Sequence, residues 1–339
     1  MEPARVIAGQ RESCTVSCAQ GELRAEVSGR YRSECEARSD FPVVGDWVAI
    51  VPRPRDGWAT IHALIPRFNA FARRASTGWS ARNGRAEAQV VAANLDVAII
   101  VMGLDRDFNV RRLERYVTLS WGSGVQPLVV LNKADLCEEC ESRVAETEKA
   151  AAGVTVLAAS AETGQGIGAL HACLRPAATA ALLGSSGVGK STLINRLLGN
   201  TRRAIGAVRE DDGRGRHTTT HREMIILPSG ALLIDNPGMR EVGLWGAEDD
   251  LDASFADVAA LARACRFSDC RHDTEPGCMV RAALQEGSLD ESRFEGWHKL
   301  QKELAHLATL EDPRAREAHR QLWKSRAKMQ KKIRKDMRA

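Results

Sequence analysis

Gly184-Ser185-Ser186-Gly187-Val188-Gly189-Lys190-Ser191 fills every fixed position of the pattern G-x-x-x-x-G-K-[ST]. An apolar run, Ala180 to Leu183, leads into it, and Thr192-Leu193-Ile194-Asn195-Arg196-Leu197-Leu198 follows with the spacing of an amphipathic helix. In a strand, glycine-rich loop and helix of this kind, backbone N–H groups and the positive end of a helix dipole converge on an anion. Residues Gly184 to Thr192 are therefore read as a polyphosphate-binding loop. Lys190 would reach the outer phosphates, and the Ser191 hydroxyl would ligate the magnesium that bridges them. The competing reading, a glycine-rich turn with a chance lysine, gives no reason for the flanking strand and helix.

Working outward, Asp96 to Met102 and Pro127 to Leu131 are unbroken apolar runs separated by a helical segment, Val110 to Trp121. Val154 to Ala158, the run before the loop, Met224 to Leu227 and Ala231 to Ile234 continue the pattern. Continuous apolar strands alternating with helices mean a parallel sheet covered on both faces, a doubly wound α/β domain over residues 91–250.

Two strand ends before the loop and one after it carry further chemistry. Asn132-Lys133-Ala134-Asp135 follows the 127–131 run; the Asp135 carboxylate can accept two N–H bonds from a guanine edge, and the Asn132 amide can serve its carbonyl. Ser160-Ala161, after the 154–158 run, can support the same base with backbone amides. Asp235-Asn236-Pro237-Gly238 follows the 231–234 run, placing a carboxylate to hold magnesium through water and the Gly238 N–H at the γ-phosphate. In ordinary GTPases the phosphate loop comes first; here the guanine stretches precede it, so the domain is circularly permuted. Permutation is tolerated because domain termini often lie close together on the surface.

The flanks differ in texture. Residues 1–75 read as short alternating strands, including Glu22 to Val27, Val43 to Val51 and Trp58 to Ile65, which suggests an OB-fold β-barrel suited to RNA. Residues 76–90 are polar and small, a linker. From Leu251 to residue 312 the chain reads as helical, and Cys265-x4-Cys270-x-His272-x5-Cys278 supplies three thiolates and an imidazole, a closed set for one structural zinc. Phe294, Trp297, Leu300, Leu304 and Leu307 fall at helical spacing behind Asp290-Glu291-Ser292, so a capped helix should pack on that module. Cys137-Glu138-Glu139-Cys140 lacks partner ligands and is read as incidental.

Residues 313–339 hold eleven Lys and Arg against two acids, so the net charge of +4 conceals a tail of +9 behind a body of −5. Such a helical basic tail gains from counterion release on a phosphate backbone. Nine cysteines, an odd number, with no export signal at Met1 to Arg5 and no apolar stretch of membrane-spanning length, point to a cytoplasmic protein with reduced thiols, not embedded in a membrane. Nothing suggests a dimer seam, so a monomer is expected.

These residues together resemble the ribosome small subunit-dependent GTPase A family, permuted GTPases that assist late assembly of the small ribosomal subunit. The resemblance rests on Gly45-Asp46, Asn94-Leu95-Asp96, Asn132 to Asp135, Ser160-Ala161, Gly184 to Ser191, Gly213-Arg214-Gly215-Arg216-His217-Thr218-Thr219-Thr220 and the cysteine cluster. It implies a GTP/GDP cycle, stimulation by the 30S subunit, contact with 16S rRNA, and a first switch at 213–220 in which Thr219, with Thr218 in reserve, completes the magnesium shell alongside Ser191 and Asp235. One departure is Asn236, where the family usually has threonine. Gly238 is followed by Met239, which cannot orient water as the glutamine of many GTPases does, so His217 is the candidate for that task, with Lys190 and Thr219 as the other catalytic residues. A translation or signalling GTPase without an assembly role, and an RNA-binding protein with a vestigial nucleotide site, remain as rivals.

Overall fold

Alternating apolar positions near the N-terminus turn inward around a small barrel in the computed structural model, which describes residues 1–9, 13–74, 88–199, 222–235, 251 and 255–311. Strands β1 (Glu2–Gly9), β2 (Cys14–Cys18) and β3 (Gly21–Val27) form an antiparallel meander. Helix α1 (Gly29–Glu34), started by Ser28 Oγ accepting from the Tyr31 amide at 3.1 Å, separates them from β4 (Trp47–Arg53) and β5 (Trp58–Leu64). β5 runs parallel to β3 and antiparallel to β4, and β4 pairs with β1, so five strands close in the order 1-2-3-5-4-1. This is the connectivity of the OB-fold anticipated from the strand spacing. Register shifts in β1 and β4 supply the coiling that closure needs. Ala4, Val6, Val16, Leu23, Ala25, Val48, Ile50, Ala59 and Ile61 fill the interior.

Beyond the barrel, β6 (Ala70–Arg74) pairs with β7 (Ala88–Ala93). Residues 88–90, read from sequence as the end of a linker, are thus the start of a strand, whose later residues Val91 to Ala93 are buried. The α/β domain then follows: β8 (Val97–Gly103), α2 (Val110–Gly122), β9 (Gln126–Asn132), α3 (Cys140–Ala150), β10 (Thr155–Ala158), α4 (Ile167–Cys173), β11 (Thr179–Leu183), α5 (Lys190–Leu197), β12 (Arg222–Ile226) and β13 (Leu232–Asp235). Its sheet order is β10-β9-β8-β11-β13-β12, with the phosphate-loop strand β11 between β8 and β13.

One face of that sheet, through Ile99, Val101, Leu128, Val130 and Leu182, packs with Leu170 of α4 and with Leu193, Ile194 and Leu197 of α5. The other face presents Ala98, Ile100, Met102, Val129 and Leu131, all buried, and α2 lies against β8 and β9. Coverage on both sides is why these strands read as unbroken apolar runs. The exception to the expected parallel sheet is β12, which runs antiparallel to β13 because a short turn at Pro228 to Gly230 joins the two.

β12 also pairs with the barrel: Ala8 lies opposite Glu223 and Gly9 opposite Arg222, making one continuous eleven-stranded sheet. Barrel and α/β sheet accordingly form one compact unit, and the helices from Phe255 onward belong to a second. Gly45 closes the first unit from the other end. Its φ is +96°, and a Cβ there would stand 2.1 Å from the Ala93 carbonyl oxygen. Asn94 Nδ2 donates to the Gly45 carbonyl at 3.0 Å, and Arg5 donates to the Asn94 carbonyl and to Thr179 Oγ1 at the head of β11.

The second unit contains α6 (Ala256–Arg263), α7 (Met279–Glu286) and α8 (Glu291–Glu311). No described helix is long and apolar enough to cross a membrane. Most of the 76–90 segment, the 213–220 stretch, Asn236, Gly238, Met239 and the tail from 313 onward lie outside the described residues.

Buried charge ties the barrel's exit together. Asp46 is fully buried and accepts two bonds from Arg67, Nε and Nη2 each at 2.7 Å, plus one from the Val43 amide. Arg67 also donates to the carbonyls of Ser39 and Phe41. Removing one partner of such a pair strands the other, so Arg67→Ala is expected to cost about 3–5 kcal/mol. Urea unfolding of the full chain measures this, and an unchanged midpoint would contradict it.

Candidate functional site

The phosphate loop is shaped by backbone that only glycine adopts cheaply and by approaches that exclude a side chain. Gly184, Gly187 and Gly189 have φ of +144°, +82° and +92°. A Cβ on Gly184 would meet the Val101 carbonyl oxygen of β8 at 2.3 Å, and one on Gly189 would meet Asn132 Nδ2 at 2.3 Å. α5 begins at Lys190, so the positive end of its dipole lies at the loop, and Ser191 and Thr192 stand exposed in its first turn.

Side chains hold the loop by its carbonyls. Lys190 Nζ donates to those of Gly184 and Ser185, Lys133 Nζ to that of Gly187 at 2.8 Å, and Asn132 Nδ2 to that of Val188 at 2.8 Å. In a peptide plane the N–H points opposite to the C=O, so fixing carbonyls also fixes the directions of the following amides, the groups that hold phosphate.

Asn132 ends β9 and is buried. Besides its bond to Val188, its Oδ1 accepts from the Ala161 amide at 3.0 Å. The sequence assigned this amide to the base carbonyl; here one of its N–H groups and its oxygen are engaged in joining the Ser160-Ala161 turn to the phosphate loop. Lys133 adopts the left-handed conformation, φ +66°, which turns the chain from β9 into the short 3-10 segment carrying Asp135, whose side chain is exposed. Ser160 is fully buried; its hydroxyl accepts from the Thr163 amide at 3.1 Å and shapes the turn. Asp235 ends β13, which lies beside the phosphate-loop strand. The Ser191 hydroxyl and Asp235 carboxylate are hard oxygen donors of the type magnesium takes. His217, Thr219 and Gly238 lie outside the described residues, so no geometry is assigned to them.

Two residues of this network carried no motif. Arg196 on α5 donates to the carbonyls of Ala161 and Glu162, clamping the base-side turn to the phosphate-loop helix. Asp105, just past β8, accepts from Lys133 Nζ at 2.6 Å, and that bond first, then the Asp107 amide, holds its carboxyl below the usual range. A carboxylate at the end of an apolar run was the available signal for Asp105; Arg196 reads as the ordinary polar face of a helix.

In the second unit, Cys265, Cys270, His272 and Cys278 bring one ligand atom each to within 4.8 Å of one another. Cys265 Sγ lies 3.9 Å from Cys278 Sγ and 3.7 Å from His272 Nδ1, and His272 Nδ1 lies 3.4 Å from Cys278 Sγ. Tetrahedral zinc, at its usual bond lengths to sulfur and nitrogen, needs such atoms roughly 3.6–3.8 Å apart. The set therefore fits zinc and is far from disulfide geometry; all three cysteines are free thiols.

The chain builds this cluster deliberately. Left-handed His272 and Gly277, with the Arg266 amide bonded to the Gly277 carbonyl, fold the loop, and Glu275 accepts from the amides of Arg271, Asp273 and Thr274. Burial pushes the Cys265 thiol up, but hydrogen bonds from the Val280 and Met279 amides at the start of α7, together with those to Cys278 and Cys270, hold it below its usual value. Burial keeps His272 below the ordinary imidazole value, favouring the neutral form that ligates. Its ring packs against Phe294 and Trp297 of α8, at centroid distances of 6.2 and 5.5 Å, which bears out the expected packing of that helix on the cluster. Cys137 and Cys140 join no cluster of metal-binding groups among the described residues.

Residues 64–245 match the model of the family described as RsgA GTPase. The chain is 48% identical over 332 residues to the small ribosomal subunit biogenesis GTPase RsgA of Opitutus terrae, covering 95% of this chain and 89% of that one. To the protein of the same name from Syntrophotalea carbinolica it is 47% identical over 314 residues, covering 91% and 85%. The crystal structure of YjeQ from Thermotoga maritima superposes with a TM-score of 0.67 at 25% identity, over 90% of this chain and 98% of the other. YloQ, titled a circularly permuted GTPase, has the same fold, with a TM-score of 0.62 at 22% identity over 90% and 96%.

Elemental analysis of protein purified without chelator is expected to give about one zinc per chain. Cys270→Ala should lose the metal and loosen the helical unit, because binding energy in such sites is folding energy. A metal-free wild type would contradict the assignment.

Proposed function

The chain belongs to the RsgA GTPase family, and we propose that it is a magnesium-dependent GTP hydrolase acting in late maturation of the small (30S) ribosomal subunit. What carries the reading is the joining of Asn132 to Asp135, Ser160-Ala161 and Gly184 to Ser191 at the carboxyl ends of three strands of one sheet, through the Asn132 side chain. A vestigial nucleotide site would have no need to keep Lys190, Ser191, Asp235 and Asp135 together.

In this reading Asp135 accepts two N–H bonds from guanine, and the Ser160-Ala161 turn borders the base. The loop amides, the α5 dipole and Lys190 hold the phosphates and neutralise the charge that develops on the transferred group. Ser191 and Asp235 would hold magnesium, with Thr219 completing its shell on activation; bound there, the metal neutralises charge on the β- and γ-phosphates. His217 orients the attacking water, since Met239 cannot. The barrel and the basic tail meet 16S rRNA, the cysteine cluster holds one structural zinc, and nucleotide state times release from the subunit. The protein acts as a cytoplasmic monomer.

Hydrolysis by the full chain with and without small subunits tests this directly, and strong stimulation by the subunit is expected. Asp135→Asn should shift binding from guanine toward xanthine nucleotides, and His217→Ala should keep GTP binding while losing the stimulated rate. Equal rates with and without subunits would contradict the ribosomal role. Unchanged GTP affinity in Asp135→Asn would remove the guanine assignment.

A further inference from the structure

The Lys133 ammonium has two acceptors, the Gly187 carbonyl in the phosphate loop at 2.8 Å and the Asp105 carboxylate at 2.6 Å. Asp105 belongs to none of the nucleotide-binding stretches. It sits two residues beyond β8, between the β9 and β11 loops, since β8 is the strand that separates β9 from β11.

Its own position is fixed. Oδ1 accepts from the Asp107 amide at 3.0 Å, and the neighbouring Leu104 amide donates to the Asn132 carbonyl at 2.8 Å, pinning this turn to the guanine stretch. A Cβ on Gly103 would meet Asp105 Oδ1 at 2.6 Å, so a side chain there would displace the carboxylate from this position. The turn after β8 is thus shaped around the carboxylate, which points it at Lys133.

We propose that Asp105 is a positioning residue of the guanine-nucleotide site: by pairing with Lys133 it makes that lysine a neutralised strut between the β8 turn, the guanine stretch and the phosphate loop. The inference rests on the reading of this site as one for guanine nucleotides. Both partners are partly exposed, 26% for Lys133 and 34% for Asp105, so solvent screens the pair and it adds little to global stability. Its effect lies in geometry. A lysine chain has four rotatable bonds, and a second acceptor for the ammonium narrows the conformations in which it also reaches the Gly187 carbonyl. The strut acts on the base side and on loop shape, so it serves GTP and GDP alike.

The alternative is that Lys133 works as a free cation for the phosphates. Asp105 would then only weaken it, and removing the carboxylate would tighten binding, more for GTP than for GDP because GTP carries more charge.

A double-mutant cycle on the full chain separates these possibilities, with magnesium–GTP and magnesium–GDP affinities measured for wild type, Asp105→Ala, Lys133→Ala and the double variant. Asp105→Ala should weaken both nucleotides equally, by about fivefold, the scale of a partly exposed charged pair. In the Lys133→Ala background the same change should cost less than about twofold, because the group through which Asp105 acts is gone. Asp105→Asn retains an acceptor for the Asp107 amide and serves if the alanine variant folds poorly; it should show the same loss and the same cancellation.

Unchanged affinity, tighter binding, a loss confined to GTP, or equal losses in both lysine backgrounds would each overturn the proposal. Failure of the wild type to bind guanine nucleotides would instead refute the reading on which it rests, and the proposal with it.

Discussion

The buried amide of Asn132, with the Arg196 clamp beside it, joins two parts of the nucleotide site that the chain places far apart. Its nitrogen donates to Val188 in the phosphate loop, and its oxygen accepts from the Ala161 amide in the turn after β10. A buried amide of this kind is costly unless satisfied, and each partner it leaves behind on removal pays a desolvation penalty of about 1–3 kcal/mol. Gly189 has a second reason to be glycine besides its positive φ, since any Cβ would displace the Asn132 nitrogen. The fixed positions of two separate motifs are therefore conditions on one contact.

Circular permutation leaves that contact intact because hydrogen bonds depend on where strands end, not on the order in which the chain visits them. β12 and β13 stand at one side of the sheet, where Glu223 faces Asp235 on one flank and barrel residue Ala8 on the other. The OB-type barrel is thereby an extension of the nucleotide-binding sheet. The helical unit has a separate organising centre, four ligand atoms within 4.8 Å of one another with the rings of α8 packed on the histidine.

Fold and site were legible to different depths. The barrel, the doubly wound sheet and the cysteine cluster followed from strand spacing, apolar runs and ligand chemistry, because each pattern is imposed locally. The direction of β12 was not, since a short apolar run looks the same parallel or antiparallel, and only the turn at Pro228 to Gly230 decides it. Nor was the fusion of barrel and sheet, which rests on two residue pairs with no side-chain signature. The start of β7 at Ala88 was hidden by the small, polar residues before it. Asp105 and Arg196 carried no motif, because they bond other protein groups. Motif reading did not show that the Asn132 amide also joins the Ala161 turn to the phosphate loop.

Hydrogen–deuterium exchange of the nucleotide-free protein, wild type against Asn132→Ala, tests the bracing role most directly. If the Asn132 amide joins both loops, peptides covering residues 160–165 and 184–191 should exchange faster together, by about tenfold for the loss of a buried bond on each side. Unaltered exchange in both, or acceleration of one loop alone, would contradict the account.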